Sequence, residues 1–362
     1  MKCLFIIQGE GRGHITQAIS LLNILKRNGH EVVETLIGKG KSREVPAFVY
    51  EKLGANCRIY DAPCFIFKKN QKHVNFIKTF LFNTTPKRLQ KYNKSIELIK
   101  NRIDKCKPDV IVNFYEVLSG LAHLRFNIKI PFVNIGHQYL ARHHSYLHAR
   151  GEEQSLMIFR LHTLMCNIDA TKTLALSFYP MKEDLSHRIT VVPPLLRNEA
   201  LELVPEQGDF ILGYMVNPGY EKEIIEWHEL HPDVKLRIFW DKKNAPKVHT
   251  IDETLTFYTL DDELFVKYMA SCKGYISTAG FESICEAIYL GKPVMVIPTH
   301  IEQQINARDA SSTEYVITGD SFDISRLIYF MENYSADNKP FKDWVNKAED
   351  IFIEHIASLN SR

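Results

Sequence analysis

The sequence predicts an α/β protein made of two doubly wound parallel sheets. Three observations carry that reading. Short apolar runs alternate with helix-spaced apolar residues through the first half of the chain. The alternation starts again in the second half, and Val191-Val192-Pro193-Pro194-Leu195 interrupts it between the two. Strands alternating with helices build a parallel sheet covered on both faces.

Residues 2–7 form the first strand, an apolar run ahead of a Gly-rich turn. Ile15, Ala18, Ile19, Leu22 and Leu25 then line one face of a helix, which Asn28-Gly29 ends. Further strands are expected at 31–37, 110–113, 131–134 and 173–176. Between them, Leu89, Tyr92, Ile96, Ile99 and Ile103 repeat at helical spacing. Two consecutive prolines disfavour helix and restrict the residue before them, so the hinge is placed there. The second series runs strand 210–216, turn Asn217-Pro218-Gly219, a helix to about Leu230, and strands 234–239 and 255–258. Helix 261–271, strand 274–277, helix 281–290, strand 293–297 and a helix from about Glu302 complete it. Phe341, Trp344, Val345, Ala348, Ile351, Phe352, Ile356 and Leu359 form one apolar stripe, read as a single last helix. The expected division is a Rossmann-like domain over 1–194, a second over 195–335, and the C-terminal helix over 336–362. Two such sheets joined by a hinge leave a cleft, and ligands bind at the carboxyl ends of the strands.

At 362 residues the chain suits two domains, and 45% apolar residues suffice for two cores. A net charge of +2 and the lack of a recognition motif argue against nucleic acid as a partner. The N-terminal apolar run is too short for a signal peptide, and no stretch reaches the length of a membrane-spanning helix. Seven scattered cysteines form no CxxC pair, which fits reduced, mostly buried thiols rather than disulfides or zinc. Charge is uneven: 68–107 holds twelve Lys/Arg against Glu97 and Asp104, while 199–270 holds fifteen Asp/Glu against seven Lys/Arg. Two domains with different partners are expected.

Two motifs carry chemistry. Gly9-Glu10-Gly11-Arg12-Gly13-His14 joins the first strand to the first helix. Glycines there let the backbone turn tightly and approach a ligand. The spacing departs from a dinucleotide fingerprint, and a histidine opens the helix instead. A helix N-terminus disfavours the imidazolium, so His14 is either a neutral base or a plain helix cap. The second motif runs Ser277-Thr278-Ala279-Gly280-Phe281-Glu282-Ser283-Ile284-Cys285-Glu286-Ala287, through Gly291-Lys292-Pro293 and Pro298, to Glu302-Gln303-Gln304-Ile305-Asn306-Ala307. A strand ending at Ser277 and a helix starting near Gly280 make an anion site suited to a diphosphate. Ser283 adds a hydroxyl, Glu286 can accept two ribose hydroxyls, and Glu302-Gln303 suits sugar hydroxyls.

The stretch from Ala279 to Ala307 resembles the donor-site signature of GT-B glycosyltransferases. It is similar to that of the UDP-glycosyltransferases and of the lipid-linked peptidoglycan N-acetylglucosaminyltransferases, which also open with a Gly-rich loop ending in His. The resemblance implies a GT-B fold with the last helix crossing back onto the first domain. It implies an inverting, metal-independent glycosyltransferase using a nucleoside-diphosphate sugar, most simply a UDP-hexose, as substrate, with no separate cofactor. By it, Gly11, Gly13, Thr278, Ala279, Gly280, Phe281 and Ser283 sit on the donor side. Glu286 matches the ribose-holding residue, and Glu302 and Gln303 the donor-sugar contacts. Many relatives carry His or Arg where this chain has Thr278, and Glu282 adds negative charge near the expected phosphates.

Inversion needs a base at the acceptor hydroxyl. The candidates are His14, Glu116 after the strand at 110–113, and His137 after the strand at 131–134; Arg12, Asn113 and Gln138 are the acceptor-side neighbours. Glu116 reads equally as a helix cap. Asp261-Asp262 reads as a helix start rather than a metal motif. His144 and His148 would share a helical face, but no HExxH pattern accompanies them, and no metal is expected. Within 64–107, Phe65, Phe67, Phe76, Ile77, Phe80, Leu81 and Phe82 interleave with Lys68, Lys69, Lys72 and Lys78. Such a mixture suits peripheral contact with an anionic membrane and a lipid-linked acceptor, or equally a covered helix face. The expected location is the cytoplasm, at the inner face of the cell membrane. Two other functions stay open: a UDP-sugar 2-epimerase, which needs no acceptor, and a nucleotide-sugar-binding protein without catalysis.

Overall fold

The computed structural model describes residues 1–40, 45, 47–54, 56–66, 75–146, 153–216, 218–242 and 244–361. They fall into two compact units. Unit 1 comprises Met1–Ile66, Asn75–Arg197 and Trp344–Arg362, and unit 2 is built on Asn198–Asp343. The units meet along the chain at Arg197/Asn198 and Asp343/Trp344. The run Val191-Val192 extends a strand instead of forming a hinge.

In unit 1, β1 (Lys2–Gln8) leads to α1 (Arg12–Arg27), β2 (Glu31–Lys39), α2 (Ala47–Leu53) and β3 (Cys57–Asp61). Then come α3 (Phe76–Asn83), α4 (Pro86–Cys106), β4 (Val110–Phe114), α5 (Val117–Phe126) and β5 (Phe132–Ile135). A 3-10 segment (His137–Arg142), α6 (Glu153–Cys166), β6 (Lys172–Leu176) and β7 (Ile189–Val192) follow. The seven strands order as β3-β2-β1-β4-β5-β6-β7, all parallel. Cys3 through Ile7 are fully buried, as a strand covered on both faces requires.

Unit 2 opens with α7 (Asn198–Glu202), β8 (Phe210–Met215), α8 (Glu221–Glu229), β9 (Lys235–Trp240), β10 (Val248–Thr250) and β11 (Leu255–Thr259). It continues with α9 (Asp262–Ser271), β12 (Gly274–Ser277), α10 (Phe281–Tyr289), β13 (Val294–Val296) and α11 (Ile301–Ser311). β14 (Val316–Thr318) and α12 (Ile324–Glu332) complete its sheet layers. Its strand order is β10-β11-β9-β8-β12-β13-β14, parallel except for the antiparallel edge pair β10–β11. Asp261 caps α9 by accepting the Leu264 amide at 2.9 Å, so the Asp261-Asp262 pair is a helix start.

The expected single last helix is two, α13 (Lys339–Val345) and α14 (Ala348–Ala357), broken by a turn at Asn346-Lys347. From Trp344 onward the chain belongs to unit 1. There the Trp344 indole donates to the Ser177 carbonyl at 3.0 Å, Phe352 and Ile356 are fully buried, and Glu349 pairs with Arg27. Five cysteines are buried and two, Cys57 and Cys106, are half-buried, all as free thiols.

Candidate active site

Strand order reverses between β1 and β4 in unit 1, and between β8 and β12 in unit 2. In an open α/β sheet such a switch point leaves a crevice at the carboxyl ends of the strands. Both motifs lie at these points: the Gly9–His14 loop follows β1, and Thr278–Gly280 follows β12.

In unit 1 the loop is pinned to the sheet. Gly9 donates its amide to the Gly38 carbonyl at 2.8 Å, and Glu10 accepts the Gly40 amide at 2.8 Å. Gly11 is the N-cap of α1 and brings no side-chain cap of its own. The His14 imidazole is 6% exposed, stacked on Tyr115 with ring centroids 5.7 Å apart. Its Nδ1 lies 3.4 Å from Gln17 Oε1, and its Nε2 lies 3.4 Å from Gln138 Nε2. An amide nitrogen only donates, so Nε2 accepts and the Nδ1 proton points to Gln17. That is the neutral tautomer, with the Nε2 lone pair facing the Gln138 amide. Arg12 and Gly13 are half-buried in the same first turn.

Tyr115 completes this cluster and is not evident from the sequence. It has φ of 59°, a left-handed conformation rare in bulky residues. Its ring meets His14, Tyr139 and His162, and its hydroxyl bonds the Thr163 hydroxyl at 2.7 Å. An αL backbone in a non-glycine residue marks local strain held by its surroundings.

Glu116 caps α5. Its Oε2 accepts the Ser119 amide at 2.8 Å, its own amide donates to Asn113 Oδ1, and Asn113 Nδ2 donates to Asn134 Oδ1 at 2.9 Å. Burial raises the Glu116 carboxyl to about 7, against smaller downward pulls from the Ser119 amide and the Tyr60 hydroxyl. His137 is buried and turned to the sheet edge, its Nδ1 donating to the Leu176 carbonyl at 2.8 Å. Two of the three base candidates are joined to acceptor-side candidates, His14 to Gln138 and Glu116 to Asn113.

In unit 2, Thr278 and Ala279 are fully buried; Thr278 Oγ1 accepts the Val216 amide at 3.4 Å. Gly280 is the N-cap of α10, and its amide is turned to the Thr278 carbonyl at 2.6 Å. The amides of the first turn of α10 have no i−4 carbonyl inside the helix. Ser283 stands in that turn, its hydroxyl 3.3 Å from the Gly280 carbonyl. Phe281 and Glu286 are 4% and 1% exposed, so both lie on the buried side of α10. Glu302 and Gln303 open α11. Gln303 Oε1 accepts both the amide and the hydroxyl of Thr299, which leaves its amide nitrogen for a ligand. Asn306, in the same motif, donates to the Ala279 carbonyl at 3.0 Å and ties α11 to the turn before α10.

Of the histidines after the 3-10 segment, His143 and His144 lie in a bend and a turn, and His148 lies outside the described residues. Ligating atoms of His143, His144 and Asp184 come within 4.8 Å of one another. Each already has work. His143 Nε2 donates to the Lys182 carbonyl and its Nδ1 accepts the Ser145 amide; Asp184 accepts from Ser186, His144 and His187. Burial alone would raise the Asp184 carboxyl, but these bonds hold it well below the usual carboxylate range. The cluster closes a loop in this structure.

Around the basic-aromatic segment, Phe67, Lys68, Lys69 and Lys72 lie outside the described residues, as does the Phe76 side chain. On α3, Ile77, Phe80 and Leu81 are 75%, 67% and 60% exposed, so this face is not covered. Among the described residues no helix is long and apolar enough to cross a membrane.

Two doubly wound units, each with its motif at the switch point, are the architecture of the GT-B glycosyltransferases. The family described as Glycosyl transferase family 1 matches residues 1–334, and the chain belongs to it. It is a glycosyltransferase that takes its sugar from a nucleotide-sugar donor. Solved structures share the fold at low identity. Phytolacca americana UGT2, complexed with UDP-2-fluoro-glucose and pterostilbene, is 11% identical, with a TM-score of 0.65 and 100% of each chain covered. Arabidopsis thaliana UGT89C1, complexed with UDP, is 13% identical, with a TM-score of 0.64 and 99% of each covered. The UDP-GlcNAc 2-epimerase from Neisseria meningitidis, bound to UDP-GlcNAc, is 15% identical, with a TM-score of 0.62, covering 99% of this chain and 100% of that one. No curated protein matches the chain.

Proposed function

We propose that the chain transfers a hexose from a UDP-sugar to an acceptor hydroxyl with inversion, without a metal or other cofactor. The observation that carries this is the β12–α10 turn, where a glycine-capped helix N-terminus meets buried Glu286 and the Asn306 clamp. First-turn amides of α10 take the diphosphate and stabilise the leaving charge. Glu286 holds the ribose, and Glu302 with the Gln303 amide nitrogen holds the sugar hydroxyls. His14 removes the acceptor proton through Nε2, oriented by Gln17 and Gln138. With Thr278 in place of a cation, phosphate binding rests on the helix end.

The exposed face of α3, with Lys78 beside it and Lys87, Arg88 and Lys91 on α4, favours contact with an anionic lipid surface and a lipid-linked acceptor at the cytoplasmic face. Replacing Phe80 and Leu81 by glutamate should abolish sedimentation with anionic vesicles; unchanged sedimentation removes the membrane contact.

The test of the donor is a thermal-shift screen against nucleotides and their sugars, since a ligand of the native state raises the melting temperature. A shift with a UDP-sugar, lost in Glu286→Ala, is expected. A shift with another nucleoside diphosphate alone reassigns the base. His14→Ala should then lower turnover by about 10²–10⁴-fold with donor affinity unchanged. Product analysis separates transfer from 2-epimerisation of the nucleotide sugar, for which no acceptor is needed.

A further inference from the structure

Unit 1 contains a cavity of about 610 Å3 to which the chemistry above assigns no role. One wall carries Arg142 and His144, from the end of the 3-10 segment and the turn after it; the other is the outer face of α6, with Met157, Arg160, Leu161 and Leu164. Met157, Leu161 and Leu164 follow helical spacing and are 66%, 57% and 49% exposed. The opposite side of α6 is the packed one, through Phe159, Thr163 and Cys166. Covering an apolar stripe of this kind with a ligand's apolar body removes it from water and favours binding.

The cavity is also cationic. No carboxylate lines it among the described residues. Arg142 Nη1 is buried without a hydrogen-bond partner among the described residues. Asp184 lies close enough to act on Arg142 electrostatically, but its oxygens are engaged by Ser186, His144 and His187. Arg142 lines the cavity, and its guanidinium fork matches a carboxylate or phosphate.

We propose that this cavity binds an anionic amphiphile, with a carboxylate or phosphate head on Arg142 and an apolar body along Met157, Leu161 and Leu164. Gln138 and Arg142 stand near opposite ends of one 3-10 segment, about 8 Å apart along its axis. Gln138 contacts His14, so on the transferase reading, on which this last step rests, the amphiphile is the acceptor and its acidic group lies about that far from the reacting hydroxyl. The same head chemistry is found on soluble acids and on membrane lipids.

The test is calorimetric titration of the full chain with octyl phosphate, octanoate and octanol, each below its micelle concentration. Both anions should bind at least about tenfold tighter than octanol, the worth of a charge-assisted hydrogen bond. Arg142→Gln should remove that preference. Leu161→Asp, at an exposed position that cannot unfold the unit, should weaken both anions by a similar factor. Equal binding of octanol, unchanged binding in Leu161→Asp, or no binding of any probe overturns the proposal. Displacement of octyl phosphate by phosphatidylglycerol vesicles, and not by phosphatidylcholine, identifies a lipid head group as the source; retention identifies a soluble acid. None of these readouts needs turnover. Anion binding without sugar transfer removes the acceptor role and keeps the site, whereas transfer without anion binding removes the site and keeps the transferase reading.

Discussion

A Cβ at Gly9 would meet the Gly38 carbonyl oxygen at 2.7 Å, whereas one at Gly280 meets nothing nearer than 3.7 Å. Packing therefore demands glycine at position 9 but not at position 280, where the missing side chain leaves room for a ligand to approach the helix end. Gly280→Ala should change stability by under about 1 kcal/mol, yet weaken UDP by about tenfold as one charge-assisted bond is lost. Equal UDP affinity in calorimetry would move the phosphates elsewhere. Glu116 gives a pH signature. Its carboxyl is raised to about 7 by burial. The folded state therefore holds a proton that the unfolded chain releases near pH 4.5. Stability is undiminished below pH 4.5, falls through the window up to about 7, and loses roughly 3 kcal/mol in all. Glu116→Gln, which still caps α5 through its carbonyl oxygen, should flatten that slope in urea unfolding at pH 5 and 8; parallel curves would place the proton on another group. His14, Glu116 and Gln138 were legible because they follow the carboxyl ends of β1, β4 and β5, where a parallel sheet leaves its crevice. Tyr115 was not, since nothing in Asn113-Phe114-Tyr115-Glu116 announces a positive φ.

Helix α11 acts on the donor turn through one side chain. Asn306→Ala leaves the fully buried Ala279 carbonyl without its donor, a cost of about 1–3 kcal/mol, and loosens the turn that aims α10. Asn306→Asp has the same shape but cannot donate there. Both should lower the melting temperature and the UDP-induced shift together; a full shift in Asn306→Asp would make the contact incidental. The strands of the two sheets were readable from their apolar runs. Others lacked a signal: β3 has a half-exposed burial pattern and β10 is three residues long at an edge. The break at Asn346-Lys347 is hidden because the apolar stripe stays in phase across it. The 3-10 segment 137–142 buries five of its six residues and shows no helical period that would separate it from a strand.

At the scale of the molecule, the β12–α10 motif lies in unit 2 and the His14 cluster in unit 1. Two units need not unfold as one, so a single melting temperature is not assured. Scanning calorimetry should resolve two transitions, with UDP raising one of them. Hydrogen exchange should show new UDP protection at the end of β12, in α10 and at the start of α11, and none in α1. Protection confined to unit 1 would place the nucleotide there. The repeated sheet pattern made both units legible, because a doubly wound sheet writes its strands as separate apolar runs. Where each unit closes was not, since Trp344 is drawn to unit 1 by its bond to Ser177, a partner distant in sequence.

That return of the chain sets an order of assembly. Phe352 and Ile356, fully buried in unit 1, leave the ribosome only after all of unit 2. At about 5–20 residues per second, the nascent N-terminal segments wait on the order of ten to thirty seconds for the residues that seal them. Unit 2, whose sheet is drawn from one continuous stretch, can finish first. During that interval the surface that α14 will cover stays open to solvent. A nascent chain stalled before Trp344 should therefore be the species that chaperones hold, while one released past Ile356 should let go of them.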